Sequence, residues 1–253
     1  MYLLIQTNSY PQIGKNINVD FNDLIGTGVS LTSDFFKFNQ STQINLAGSV
    51  LLVGAGYALD YNMKNLAYKN ISGFNNGLFS IDNVVGSEYT LIGIGALYGY
   101  GLFFDDKEVR RLGLQTIEAA GYSGLITTVL KSIVGRSRPY ANEGKLKLRP
   151  FNVNAAYTSF PSGHSTVAFA VSTVLANSTD NIYLKILSYS PSALVAGARL
   201  YHNAHWFSDV IAGGLIGYFV GDYVSNRSRG SASQTSGFFI NYYPGGINLT
   251  YTF

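Results

Sequence analysis

Between residues 43 and 226 the chain breaks into six apolar stretches, near 44–59, 89–104, 112–134, 165–176, 182–198 and 207–224. Most are long enough for helices and too long for strands. Gly135 lies just past the third stretch and reads as its C-cap, with Pro139 blocking any continuation. Small residues recur inside the stretches, at Gly93, Gly95 and Ala96 and again at Gly213, Gly214 and Gly217, which permits close helix–helix approach. Residues 1–42 are rich in Asn, Asp, Ser and Thr, show no clear period, and are expected to be irregular. Residues 227–237 are polar and read as a flexible linker.

The tail from 238 to 253 changes period. Ile247, Leu249, Tyr251 and Phe253 alternate with Asn248, Thr250 and Thr252 behind a Pro-Gly-Gly turn at 244–246, which signals a hairpin. A terminal aromatic strand resembles the closing strand of an outer-membrane barrel. One hairpin cannot close a barrel, so a surface hairpin is expected. The predicted architecture is all-α: a compact bundle of about six helices over 43–226 with its motifs at one end, plus the short C-terminal β-hairpin.

No stretch offers about 18 uninterrupted apolar residues. Asn45 interrupts the first, and Gln115, Glu118 and Lys131 interrupt the third. Buried helices of a compact bundle and short membrane helices both fit. The Tyr residues near stretch ends and the small-residue seams favour membrane association of some kind. The first residues lack a basic region ahead of a long apolar run, so no signal peptide is predicted. That leaves either a chain that needs none or a mature or trimmed form.

Composition narrows the chemistry. At 253 residues the chain can bury a large core without splitting into two domains. The absence of cysteine excludes disulfides, thiolate nucleophiles and Cys-ligated metals. The net charge of +3 conceals an asymmetry. From 119 to 208 there are eight basic residues (Lys131, Arg136, Arg138, Lys145, Lys147, Arg149, Lys185, Arg199) and two acidic ones (Glu143, Asp180), a balance of +6. A cationic centre in a near-neutral chain points to an anionic ligand rather than to a nucleic-acid-coating surface. Lys145, Lys147 and Arg149 also suit a solvated basic face.

Three short runs carry the rest. KSIVGRSRP over 131–139 sets Lys131 and Arg138 seven residues apart, able to approach one phosphate as a point charge and a bidentate fork. Alone, that spacing is weak. PSGH over 161–164 opens the fourth stretch. There Ser162 can cap a helix and donate to a phosphate oxygen, and Gly163 lets its backbone N–H approach an anion. An ordinary Ser-Gly cap gives no reason for His164. In the third run Arg199 precedes His205 and Asp209, which stand at i and i+4 and would share a face at a helix start. A carboxylate bonded to one ring nitrogen fixes the tautomer and frees the other nitrogen as a nucleophile. Taken alone, such a pair is more often a satisfied surface contact. Together the runs supply fixed positive charge, open amides, two imidazoles and a carboxylate, the inventory for phosphoryl transfer through a phosphohistidine.

In this order the runs resemble the signature of the type 2 phosphatidic acid phosphatase superfamily, which includes bacterial acid phosphatases and vanadium haloperoxidases. The resemblance covers 131–209 and extends loosely over the helices from about 43 to 224. Ala198 stands where the family usually has Ser, which puts fine tuning in question rather than activity. The resemblance implies a phosphatase in which His205 attacks phosphorus, Asp209 orients it, and His164 protonates the leaving alkoxide and later helps activate water. Lys131, Arg138, Arg199, the Ser162 hydroxyl and the Gly163 N–H would hold the phosphoryl oxygens.

The resemblance further implies no metal and no cofactor, since fixed cations neutralise the charge. His202 lies outside the motif and is expected at the rim. The apolar, Tyr-rich chain favours a lipid phosphate or pyrophosphate presented at a membrane surface of the bacterial envelope. A periplasmic phosphatase of soluble monoesters comes second, and a vanadate-dependent haloperoxidase third. A decayed, non-catalytic site is disfavoured because every matched position is filled.

Overall fold

The computed structural model describes residues 9–37, 40–230, 237–243 and 246–252. In chain order its helices are α1 (Ser9–Phe36), α2 (Gln40–Lys69), α3 (Gly73–Leu78), α4 (Glu88–Phe103), α5 (Lys107–Val134), α6 (Gly163–Asn177), α7 (Ile182–Tyr201) and α8 (Phe207–Gly230). The six expected helices are present as α2 and α4–α8, and the class is all-α. Local chemistry sets their ends. Ser87 caps α4 by accepting from Tyr89 N, Asp106 caps α5 by accepting from Glu108 N and Val109 N, and Asn181 caps α7 likewise. Gly135 takes the left-handed conformation (φ 58°) at the C-terminus of α5, and its N–H returns to Lys131 O, as the sequence predicts.

The irregular segment expected over 1–42 is instead largely the 28-residue helix α1, and residues 1–8 lie outside the described region. Asn, Asp, Ser and Thr are neutral rather than prohibitive in helices, so tertiary partners decide. Those partners are specific. Tyr98 donates to Asp20 (2.8 Å), Thr27 to Glu118 (3.2 Å) and Tyr223 to Asp34 (2.7 Å), and the Tyr122 hydroxyl donates to Leu24 O. Of the linker expected over 227–237, residues 227–230 instead belong to α8 and Gly237 to a strand; residues 231–236 lie outside the described region.

The bundle centres on α6 and α8. Gly213, Gly217 and Gly221 recur every fourth residue along one face of α8, and a Cβ on any of them would strike the α6 backbone at Ser162 O, Thr166 O or Ala170 O. Without side chains on that seam the two backbones come into direct contact, an approach only small residues allow. Ala119 of α5, Ala170 and Val174 of α6, and Val220 and Val224 of α8 form the buried core, with Leu31, Tyr122 and Ile126 packed on it. Strands β1 (Gly237–Tyr243) and β2 (Gly246–Thr252) pair antiparallel, Ile240 opposite Leu249; Pro244 and Gly245 lie outside the described residues.

Much apolar surface is left uncovered. Val50, Leu51 and Leu52 on α2, Leu91 and Ile92 on α4, and Leu125 on α5 are all exposed. Among the described residues one helix is long and apolar enough to cross a membrane. It is the part of α2 from Thr42 to Lys69, with a mean hydropathy of 1.2 and 6% of its apolar window buried.

Candidate active site

The chain between α5 and α6, the start of α6, the end of α7 and the start of α8 meet at one end of the bundle. All eight candidate residues lie there. Lys131 occupies the last turn of α5 and donates from Nζ to Thr158 O at 2.5 Å. Arg138 follows in the loop and donates to Thr158 Oγ1 at 3.2 Å, so one threonine gathers both cations. Arg199, in the last turn of α7, donates to Asp82 Oδ2 at 2.8 Å. The Nε groups of Arg138 and Arg199 are buried and have no hydrogen-bond partner. Desolvated donors left open are costly unless something arrives to accept from them. Burial, with Arg138 beside it, pushes the Lys131 ammonium down to about 7.

Ser162 is fully buried and caps α6, accepting from Ser165 Oγ at 3.0 Å, which leaves its own hydroxyl proton for another acceptor. Gly163 opens the helix facing Lys131: a Cβ there would lie 3.7 Å from Lys131 Cε. Amides in a first helical turn have no intrahelical acceptor and suit an anion. His164 follows. Its carbonyl packs on Gly86, whose φ of +83° and contact with His164 O both exclude a side chain. That contact brings the turn bearing Asp82 to the site. Burial first, and then Arg199, push the His164 imidazole down to about 4, which favours its neutral form at pH 7.

His205 differs from the sequence expectation in detail. It lies in the turn before α8 rather than on the helix, and its Nδ1 is 2.7 Å from Ser159 O but 3.7 Å from Asp209 Oδ2. A carbonyl oxygen can only accept, so Nδ1 carries the proton and Nε2 keeps its lone pair. The main-chain carbonyl therefore sets the tautomer, and Asp209 supplies charge behind it. The carboxylate is occupied elsewhere: it accepts from Ser159 Oγ (2.5 Å), Trp206 N (2.9 Å) and Arg136 (2.5 Å). A first-turn position satisfies an open main-chain amide before it reaches a ring four residues back. Burial pushes the His205 imidazole down to about 3, with Lys131 and Arg138 acting in the same direction, so it stays neutral and nucleophilic.

Sequence reasoning missed Thr158, Ser159, Asp82, Asp60 and the role of Arg136, a central cation counted only for its charge. No spacing rule links Asp82 to Arg199 across 117 positions or Asp60 to Arg136 across 76. His202 sits half-exposed at the rim, as expected, its Nε2 3.1 Å from Phe79 O.

Comparison with known proteins agrees with the assembled site. The PAP2 superfamily profile matches residues 112–229. An undecaprenyl-diphosphatase of Sulfolobus acidocaldarius is 30% identical over 185 residues, 68% of this chain and 80% of that protein. The chain belongs to the PAP2 superfamily, the type 2 phosphatidic acid phosphatases that its motifs resemble. A lipid A 1-phosphatase of Rhizobium etli is 34% identical over 42% of this chain and 46% of its own length. Among solved structures, the transmembrane PAP2 type phosphatidylglycerolphosphate phosphatase of Bacillus subtilis superposes with a TM-score of 0.58 at 22% identity, over 73% of this chain and 94% of the other. LpxE of Aquifex aeolicus gives 0.53 at 23% identity, over 66% and 95%. These two similarities concern the fold.

Proposed function

We propose that this protein is a phosphatase that hydrolyses a lipid phosphate or pyrophosphate through a phosphohistidine on His205, at a membrane surface of the bacterial envelope. The observation that carries this reading is the pairing of a neutral, Nδ1-protonated His205 with buried cation donors that have no partner. His205 Nε2 attacks phosphorus, and the bond from phosphorus to the leaving oxygen breaks. Lys131, Arg138, Arg199, the Ser162 hydroxyl and the Gly163 amide bind the three phosphoryl oxygens as their charge spreads.

The incoming anion offsets the cations that keep His164 neutral, so His164 takes up a proton with the substrate and passes it to the leaving alkoxide. Neutral again, it removes a proton from water, and the resulting hydroxide displaces phosphate from His205. Throughout, Nδ1 keeps its proton and donates it to Ser159 O, and the Asp209 charge stabilises the cationic ring. Fixed cations do the neutralising that a metal would otherwise do.

A lipid substrate suits the surroundings. A cleft of about 210 Å³ lined by Val53, Val134, Leu146, Leu148 and Phe160 borders Arg136 and Ser208. The exposed apolar faces of α2 and α4 suit contact with acyl chains. The strand pair at the C-terminus is an appendage dispensable for chemistry. The test is phosphate release by purified protein from lipid phosphates and from p-nitrophenyl phosphate, with and without detergent. Lipid esters should react faster. Equal rates would favour a soluble-ester phosphatase, and vanadate-dependent bromide oxidation without phosphate release would replace hydrolysis with peroxidase chemistry.

A further inference from the structure

Beneath the candidate nucleophile lies a closed ionic cluster that the three motifs do not include. Arg136 is buried, and every nitrogen of its guanidinium donates a hydrogen bond. NH1 donates to Asp209 Oδ1 (2.5 Å) and Ser208 Oγ (2.7 Å), NH2 to Asp60 Oδ2 (2.6 Å), and Nε to Lys145 O (3.0 Å). The Tyr57 and Trp206 rings cover it at 5.2 and 5.4 Å. Asp60, with no exposed surface, also accepts from Ser208 N (2.9 Å) and Ser208 Oγ (3.0 Å). Both oxygens of Asp60 are therefore committed to Ser208 at the start of α8, and Arg136 bridges Asp60 through NH2 to Ser208 and Asp209 through NH1.

We propose that Asp60 and Arg136 are positioning residues for the phosphatase reaction, a two-residue clamp through which α2 holds Asp209 and, through it, His205. Neither side chain contacts the phosphoryl site, so the clamp acts on the rate of phosphoryl transfer and not on anion binding. Asp209 Oδ1 is taken by Arg136, which orients Oδ2 towards Ser159 Oγ, Trp206 N and the His205 ring. Ser159 is thereby held from its hydroxyl while its carbonyl holds His205 Nδ1. Planar, bidentate bridging of two carboxylates is a task for arginine that lysine cannot reproduce. Partners one layer behind a reactive group commonly contribute about 10–100-fold when removed, as documented for metal ligands. Asp60 lies outside the segment matched to the family, so the clamp joins α2 to the motif-bearing helices.

This inference rests on the phosphatase reading, and the test separates the two. Asp60→Asn and Arg136→Lys would be compared with the parent protein on p-nitrophenyl phosphate, with orthovanadate as the anion probe and thermal melts to establish folding. Both folded variants should lose about 10–100-fold in kcat while KM and the vanadate Ki stay within about threefold.

The acid limb of kcat/KM should also move in opposite directions for two charge changes. The charged groups facing His205 are Lys131, Arg138 and Asp209, with Arg136 and Asp60 behind them. Asp60→Asn removes a negative charge and should shift the limb to lower pH, whereas Arg136→Gln removes a positive charge and should shift it upward. An unchanged kcat in a folded Asp60→Asn protein overturns the clamp, as does a loss of vanadate affinity parallel to the loss of kcat. A parent protein that releases no phosphate from any ester overturns the phosphatase reading instead.

Discussion

Two polar clusters among the described residues are built on opposite principles. On the α1 side carboxylates are matched to donors. Asp20 has Tyr98 and Arg110 (3.4 Å), Asp34 has Tyr223 and Lys37 (2.6 Å), and Arg227 reaches both Asp23 (3.3 Å) and Thr27 (3.2 Å). Among the described residues, Glu118 Oε2 is the one buried side-chain atom on that side without a hydrogen-bond partner. At the motif end the excess is of the other kind. Lys131, Arg138 and Arg199 converge, one carboxylate (Asp82) answers Arg199, and two guanidinium Nε groups stay open. A matched cluster holds helices together. A cluster with surplus buried donors has its last acceptor missing, and a phosphoryl group fits that description.

That contrast predicts effects of very different size. The largest belongs to His205→Ala, which should cut phosphate release on the order of 10⁴-fold or more and prevent trapping of an acid-labile phosphoenzyme. A phosphoenzyme still trapped in that variant would place the nucleophile elsewhere. His164→Ala should slow alkyl or lipid phosphates by about 10²–10⁴-fold but p-nitrophenyl phosphate far less, since only the poorer leaving groups require a proton. Equal losses on both would remove His164 from the role of acid.

A smaller effect follows from the crowding of cations. Because the Lys131 ammonium is pushed down to about 7, its charge is present below that pH and lost above it. With p-nitrophenyl phosphate, kcat/KM should therefore fall several-fold as pH rises from about 7 to 9. Lys131→Arg stays charged and should flatten that limb. A limb that persists unchanged in Lys131→Arg would assign it to another group.

The smallest effect tests the α1 side. Thr27→Val removes the donor to Glu118 and an acceptor for Arg227 in a buried setting, and should cost about 1–3 kcal/mol of stability. It should lower Tm by several degrees and leave kcat unchanged. A loss of activity without loss of stability would join the two clusters into one functional unit.

Much of this was legible in the residues alone. Six apolar stretches marked six helices, Gly135 marked the end of α5, and three motifs marked the eight candidate residues now gathered at one end of the bundle. These features are local: a cap, a period or a motif is written within a few neighbouring positions. The helix α1 was not legible, because its Asn, Asp, Ser and Thr residues leave the backbone choice open until Tyr98, Glu118, Tyr122 and Tyr223 come within reach.

The inner chemistry of the site was not legible either. Sequence spacing paired His205 with Asp209, yet the bond that sets the tautomer comes from the carbonyl of Ser159, 46 positions away. A main-chain carbonyl has no residue identity to read. Asp60 and Asp82 look in the sequence like any helix-flanking acids. Only packing of α2 and of the α3–α4 connection against the motif loops placed one beneath Arg136 and the other against Arg199, where burial turns an ordinary carboxylate into a fixed partner. The sequence by itself marked the candidate reacting groups and the apolar stretches that form α2 and α4–α8. Which groups hold those in register depended on contacts between segments far apart in the chain, and those exist only in the folded bundle.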